Sequence, residues 1–140
     1  MANIVQTADG ALDIEGFNKT KAGFVVVSDR WDATSDVDMV IFVAQRRFIV
    51  KSITTRVDAA NGAALTLTVR KVPSGTAVGS GTALHSSTAD LNGTANTVQD
   101  LTLSTTASDL VIEDGDSIGL DFSTVSTAAT GAVTVLLAPA

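Results

Sequence analysis

A chain of 140 residues suffices for one folded domain, since a single core usually forms from roughly 100 to 200 residues. The absence of cysteine excludes disulfides, thiol nucleophiles and thiolate metal sites. No run approaches the roughly 18 apolar residues that span a bilayer, and the N-terminus lacks the basic-then-apolar layout of a secretion signal. We therefore expect no membrane partner and no export by that route.

The net charge of −6 is distributed unevenly along the chain. Residues 1–36 carry −3, residues 37–71 carry +4, and residues 72–140 carry −7. An acidic surface repels phosphate backbones, so we expect no nucleic-acid partner unless the basic residues between Arg46 and Lys71 form one patch. The segregated charge is either a solvated face or a means of orienting self-association, basic edge against acidic edge.

Residues 1–36 are predicted to form an N-terminal arm that carries one strand. An apolar run begins at Phe24, and glycines punctuate the sequence before it. A polar, glycine-rich arm is poorly ordered alone, so either a partner or its own domain must order it. Phe17 and Trp31 lie in this arm. Each aromatic side chain either anchors the arm in a neighbour's pocket or caps the core of its own domain.

From residue 37 to residue 140, short alternating apolar runs separated by turn residues predict a β-sandwich domain. Residues 37–44 are apolar on one face and partly so on the other, which predicts a strand covered on both sides. A strand over residues 47–57 follows, and the Asn61-Gly62 pair after it suggests a hairpin. The cleanest period-two alternation begins at Leu65. Further strands are predicted around residues 83–85, 101–103, 110–112, 118–122 and 133–137.

These runs amount to about eight short strands, and no window has the i, i+3, i+4, i+7 apolar spacing of a helix. The abundance of threonine and valine agrees, because β-branched residues favour pleated strands. The predicted fold class is therefore all-β, an antiparallel β-sandwich preceded by an arm. Eight strands in about 100 residues fit a jelly roll, while an immunoglobulin-like order stays open because strand order is invisible in the sequence.

Catalytic chemistry finds little support in this sequence. A Ser-His-Asp relay would have to use His85, the single histidine, and its neighbours Ser86 and Ser87 are only a local coincidence. We therefore expect a surface or edge-strand histidine and no enzyme. One imidazole without thiolates makes a weak transition-metal site, and no glycine-rich phosphate-binding motif occurs. No cofactor is expected.

One acidic cluster has two interpretations. It comprises Asp109, Glu113, Asp114, Asp116 and Asp121. Two or three of these carboxylates could face a hard cation such as Ca²⁺. Alternatively, residues 114–116 form a β-turn in which aspartate side chains accept hydrogen bonds from backbone N–H groups and glycine takes a positive φ. We favour the turn and expect no metal.

Seven short segments of the chain resemble tailed-bacteriophage capsid decoration proteins. They are residues 37–44 (VDMVIFVA), 47–50 (RFIV), 71–75 (KVPSG), 81–84 (GTAL), 91–96 (LNGTAN), 101–103 (LTL) and 115–121 (GDSIGLD). The resemblance covers roughly residues 37–139, and its segments are strand and turn patterns rather than catalytic signatures.

The resemblance implies a jelly-roll cement protein, commonly trimeric, seated on the outside of an icosahedral head where major-capsid subunits meet. Its partners would be the major capsid protein and further copies of itself, in a virion protein made in the host cytoplasm. Binding to the assembled shell would stabilise it by mass action. Candidate contacts are Phe17, Trp31, Arg46 and Arg47. The alternative is a receptor- or glycan-binding head-fibre or adhesin module, which a sandwich with long polar loops would also serve.

Overall fold

The computed structural model describes residues 4–6, 12–14, 23–33, 37–125 and 127–140, with the backbone alone for the first two ranges. Within these ranges the chain is built from strands and two short 3₁₀ turns, Val78–Ser80 and Ala107–Leu110. None of these described helical segments has the length and apolar character to cross a membrane. The strands are β1 (Ile4–Gln6), β2 (Leu12–Ile14), β3 (Val25–Asp32), β4 (Asp38–Val43), β5 (Phe48–Ala59), β6 (Thr66–Val72), β7 (Thr82–Ala83), β8 (Ala89–Asp90), β9 (Thr97–Asp100), β10 (Val111–Ile112), β11 (Ser117–Phe122) and β12 (Thr130–Pro139).

Strands β3 to β12 form two antiparallel sheets around one core, which confirms the predicted sandwich. One sheet has the order β10-β5-β12-β3, with β9 also pairing with β5, and the other has the order β4-β11-β6-β7, with β8 also pairing with β6. The strands pair from the ends of the chain inward: β3 with β12, β4 with β11, β5 with β9 and β10, and β6 with β7 and β8.

This nested pairing is that of a jelly roll, a long antiparallel ribbon folded over into two sheets. The immunoglobulin-like order is excluded, because its first two strands share a sheet. In this chain the first two strands of the sandwich, β3 and β4, lie in different sheets.

The core between the sheets consists mainly of aliphatic side chains, as the composition predicts. Alternate residues of β12 are buried, and this strand lies between β3 and β5. Two of the aromatic side chains in the core, Trp31 of β3 and Phe122 of β11, have ring centroids 5.5 Å apart. Their contact joins the two sheets.

A bulge in β5 shifts the alternation of its buried residues. Val50 is buried before the bulge and Ile53 after it, so the phase of the pattern changes between them. The partners of Val50 and Ser52 are consecutive residues of β12, which leaves Lys51 as the extra residue. The run predicted over residues 47–57 is therefore part of one continuous strand, β5, which has a second inserted residue, Asp58, near its end.

The prediction that the strand over residues 37–44 is covered on both sides is wrong. β4 is the edge strand of its sheet and pairs with β11 alone. Val37, Val40 and Val43 are exposed, whereas Met39 and Phe42 pack partly against the core. An edge strand has a neighbour on one side only, so part of its apolar surface is left open.

The predicted hairpin at Asn61-Gly62 is also wrong, because β5 and β6 belong to different sheets. Asn61 is buried in the connection between them. Its backbone N–H donates to the carbonyl of Leu91 at 2.9 Å, and its side-chain oxygen accepts the N–H of Thr127 at 3.2 Å. Asn61 therefore links three loops of the sandwich.

The strand predicted within residues 1–36 is β3, and it belongs to the sandwich. It pairs with β12 along its whole length, from Val25 opposite Leu137 to Asp32 opposite Thr130. β1 and β2 precede it and pair antiparallel with each other. Residues 25–32 of the predicted arm are thus part of the jelly roll, while the role of the preceding segment stays a prediction.

Candidate functional site

The structure separates the four residues predicted as contacts. Trp31 is 1% exposed and packs against Phe122. Of its two predicted roles, it therefore has that of filling the core of its own domain, and it offers no surface to a partner. Phe17 lies outside the described residues. Arg46 and Arg47 are exposed in the connection between β4 and β5. The surface around this connection is therefore the candidate site.

The turn at residues 113–116 holds this connection in place. The N–H of Ala44 donates to the carbonyl of Asp116, and the N–H of Gly115 donates to the carbonyl of Ala44, both at 2.8 Å. These reciprocal bonds satisfy the backbone and fix the base of the connection. Arg47 also lies 3.4 Å from Glu113, but both side chains are more than half exposed, so this ion pair adds little stability.

A surface cavity of about 430 Å³ lies beside the connection. The rings of Phe42 and Phe48 meet edge to face with their centroids 5.9 Å apart, and the Arg46 guanidinium lies 5.9 Å from the centroid of Phe48. That separation is within the range of a cation–π contact. Because Arg46 is exposed, the cavity combines apolar walls with a cationic rim. Its lining residues are Val25, Phe42, Val43, Gln45, Arg46 and Phe48.

The outer strand β4, next to this cavity, exposes several valines. We call Val37, Val40 and Val43, in and beside β4, the valine edge; their exposures run from 42% to 56%. β3 and β4 contact each other, and each is the last strand of its sheet on that side. Clustered exposed apolar side chains mark interaction surfaces, and an open strand edge also presents unpaired backbone groups. Sequence reasoning missed this feature because it assigned both faces of β4 to the interior.

At the start of β4, two carboxylates share one cation. Asp38 lies opposite Asp121 of β11, and Asp121 accepts from Arg70 Nε at 2.7 Å. Partial burial and then the Asp121 charge raise the pKa of Asp38, while Arg70 acts in the opposite direction. Arg70 also donates to the carbonyl of Gly81 at 2.9 Å. The ion pair of Arg70 and Asp121 links β6 to β11, and Asp38 places a second carboxylate beside it at the start of β4.

Of the two predicted locations for His85, the surface is wrong, because the side chain is buried, whereas the residue does lie just after the edge strand β7 and forms an isolated bridge with Leu103. Its Nε2 accepts the N–H of Val69 at 2.9 Å, so its Nδ1 carries the proton and donates to the carbonyl of Ser87 at 2.6 Å. Burial lowers the pKa of His85 and favours this neutral form. With both ring nitrogens bonded to the backbone, the imidazole is a structural link and has no nitrogen left to act as a general base.

Within the acidic cluster, residues 113–116 form a turn that contains the predicted turn at residues 114–116. Asp116 donates its N–H to the carbonyl of Glu113 at 3.0 Å, and its carboxylate accepts the N–H of Glu113 at 2.9 Å. Gly115 has φ of 89°. Asp121 points its carboxylate at Arg70 on a different strand. Among the described residues, no three histidine or acidic side chains converge as a metal centre requires.

Comparison with known proteins gives structural neighbours only. No family profile matches the sequence, and no curated protein matches it. A chain in the capsid of Ralstonia phage GP4 has a similar fold, with a TM-score of 0.51 and 18% identity over 83% of this chain and 85% of that one. This likeness establishes the fold alone.

Two further neighbours have lower TM-scores. A chain of the cyanophage Pam1 capsid asymmetric unit has a TM-score of 0.48 and 14% identity over 84% of both chains. A chain of infectious bursal disease virus strain Gx has a TM-score of 0.39 and 13% identity over 81% of this chain and 31% of that one. At these TM-scores the two add nothing to the fold assignment.

Proposed function

We propose that this chain is a structural protein of a phage particle, a decoration protein that binds the outside of the capsid where major-capsid subunits meet and stabilises the head. The observation that carries the proposal is the jelly roll, which it shares with a chain of similar extent in the GP4 capsid. The resemblance of its sequence segments to phage decoration proteins supports the same role. The protein would be made in the host cytoplasm and act in the virion.

The valine edge supports a docking role on energetic grounds. Fully burying a valine side chain contributes about 1.5–3 kcal/mol, so covering three half-exposed valines would contribute roughly 2–4 kcal/mol. Association of two proteins costs at least about 4 kcal/mol in lost translational and rotational freedom. One such edge would therefore bind weakly. Several linked copies would bind far more tightly through avidity, which favours a homotrimer that engages several capsid subunits at once.

The distribution of polar and aromatic groups favours a structural role over the alternatives. His85 has both ring nitrogens bonded to the backbone, which leaves no base for a hydrolytic relay. The single tryptophan, Trp31, is buried in the core, so it cannot serve as the aromatic platform of a glycan-binding site. The receptor- or glycan-binding alternative thus gains no support from the described surface.

Head binding tests the proposal directly. Purified protein would be mixed with empty, expanded heads assembled from the major capsid protein of the same phage, and binding would be measured by co-sedimentation. We expect saturable binding and a higher temperature of head disruption. Val40→Asp should weaken binding at least tenfold, because it places a charge in the docking edge.

Val98→Asp is the matched control. Val98 is 56% exposed, as Val40 is 49% exposed, but it lies on β9 at the opposite edge of the sandwich. We expect this variant to bind heads like the wild type. If the wild type neither binds heads nor protects them from heat or chelator, the proposal is wrong. Binding to a glycan array or to host cells without head stabilisation would establish the receptor-binding alternative instead.

A further inference from the structure

The cavity beside the β4–β5 connection lies where the two sheets of the sandwich part. Val25 of β3 and Phe48 of β5 belong to one sheet, whereas Phe42 and Val43 of β4 belong to the other. Among the described elements, β3 pairs with β12 and β4 with β11, so no ladder joins the two sheets here. The volume of about 430 Å³ is in the range of roughly 300–1,000 Å³ that is typical of ligand sites. The cavity is therefore a gap in the side of the molecule with apolar walls from both sheets.

Arg46 places a positive charge on the rim of this cavity. The other four arginines each pair with an acidic side chain; they are Arg30, Arg47, Arg56 and Arg70. Arg46 is exposed, has no ion-pair partner among the described residues, and lies with its guanidinium 5.9 Å from the centroid of the Phe48 ring. A guanidinium can donate two parallel hydrogen bonds to one carboxylate. Arg46 is therefore suited to bind an acidic group at the mouth of the cavity.

Val43 belongs both to the cavity and to the valine edge. It lines the cavity and is 56% exposed, and Val40 continues the same edge along β4. The apolar surface thus runs from the edge into the cavity without interruption. A protein surface that covers the valine edge reaches the cavity as well, and this continuity favours a protein segment as the occupant.

We propose that the cavity receives an aliphatic side chain of a protein partner whose neighbouring residue in sequence is acidic, with that carboxylate bound by Arg46. The apolar walls select the aliphatic side chain, and the charge on the rim selects the acidic neighbour. In the proposed function this partner is a capsid subunit, and that part of the assignment rests on the proposed function. The chemical selectivity of the cavity is a property of the free protein and is measured without heads.

Two peptides of nearly the same shape test this selectivity. Isotopically labelled full chain would be titrated with acetyl-Leu-Asp-amide and with acetyl-Leu-Asn-amide, and binding would be followed by amide chemical shifts. We expect the shifts to centre on residues 42–48. The dissociation constant of the aspartate peptide should be at least about threefold lower, which is the modest gain of a partly solvated ion pair. Acetyl-Ala-Asp-amide should bind at least about threefold more weakly than the leucine peptide, because it covers less of the apolar walls.

Arg46→Gln removes the charge from the rim and retains a polar side chain. The dissociation constants of the two leucine peptides should then agree within about twofold, through weaker binding of the aspartate peptide alone. Arg47→Gln is the matched control, with the same change one residue away and outside the cavity lining. It should keep the preference for the aspartate peptide. Amide spectra that match the wild type away from residues 42–48 verify that each variant is folded.

Three results would overturn the proposal. The first is equal affinity of the wild type for the aspartate and asparagine peptides. The second is a set of shifts that lies away from residues 42–48. The third is an equal loss of preference in Arg46→Gln and Arg47→Gln, which would mean that the field of the whole basic connection acts instead of one bound carboxylate.

Co-sedimentation with heads tests the partner separately. Arg46→Gln should weaken head binding by about threefold or more and Arg47→Gln should not, because the lost contact is the one at the cavity. If both variants bind heads as the wild type does, the capsid subunit is not the partner. If the peptides are distinguished but the wild type binds no heads, the proposed function fails while the selectivity of the cavity stands. If heads are bound but the peptides are not distinguished, this inference fails while the proposed function stands.

Discussion

Gly131→Ala should be among the most damaging small changes in this protein. Gly131 lies in β12 directly opposite Trp31 of β3, and the indole covers it. A Cβ at this position would overlap the carbonyl oxygen of Arg56 and the Cζ2 atom of Trp31, and would lie 2.8 Å from Cε2. The indole could shift only against the packed core. The Arg56 carbonyl belongs to the backbone of β5, the other neighbour of β12, so it cannot rotate aside.

Overpacking a core typically lowers the free energy of unfolding by about 1–3 kcal/mol. We expect a loss of about 3 kcal/mol here, because one of the atoms that the new Cβ would meet is the backbone carbonyl oxygen of Arg56. For a chain of this size, that loss corresponds to a decrease in Tm of roughly 6–12 °C. Urea unfolding followed by tryptophan fluorescence measures it well, because Trp31 is the single tryptophan and reports on this position. Gly62→Ala is the control, since nothing lies within 4 Å of its added Cβ, and it should be neutral or slightly stabilising. If Gly131→Ala matches the wild type within about 0.5 kcal/mol, the packing of Trp31 on β12 is wrong.

Three further predictions concern charged and titratable groups. The lowered pKa of His85 means that the unfolded chain binds its proton more readily, so stability is intact above about pH 6.5 and declines below it. His85→Gln should flatten the curve of Tm between pH 5 and 7, and an unchanged slope would contradict this role. The raised pKa of Asp38 has the opposite effect on the pH dependence of stability, because the folded protein becomes less stable as pH rises and Asp38 ionises. Asp38→Asn should therefore gain at most about 0.5 kcal/mol at pH 7 and nothing at pH 3 in thermal melts. Arg70→Met leaves the partly buried Asp121 without its cation and should cost about 1–3 kcal/mol by urea titration, whereas Arg47→Met should cost under about 0.5 kcal/mol, and equal losses would refute the difference.

The parts of the fold that the sequence predicts are those where one local pattern decides the structure. Period-two alternation after Leu65 and before Pro139 correctly places β6 and β12, because each strand has one face in the core. Likewise, glycine between two aspartates correctly predicts the turn at residues 114–116, where Gly115 has positive φ. These features depend on residues within a few positions of each other, so a single sequence contains the required information.

The parts that sequence reasoning missed depend on which strands become neighbours. Apolar residues on both faces of residues 37–44 read as a central strand, and only the sheet order reveals that β4 is an edge. His85 also looks like a surface residue until β6 supplies the N–H of Val69. Among the candidate contacts, Arg46 is exposed, which agrees with a contact role. Trp31 instead packs against Phe122 and Gly131, and because both are distant in sequence, the sequence alone does not show that the indole is buried.

The two lateral edges of the jelly roll are built differently, and the difference bears on what the molecule contacts. On one side the edge strands β7, β8, β9 and β10 have only two to four residues each. Short edge strands are one of the ways in which proteins prevent edge-to-edge pairing. On the other side β3 and β4 have eight and six residues, and they expose valines. The protected edge can remain in water, whereas the valine edge is the surface that we propose a partner covers. Amide hydrogen exchange of the isolated protein tests whether this edge is covered. If the amides of β3 and β4 exchange fast while those of β12 exchange slowly, the edge is open to a partner. If all three strands exchange equally slowly, the edge is already occupied.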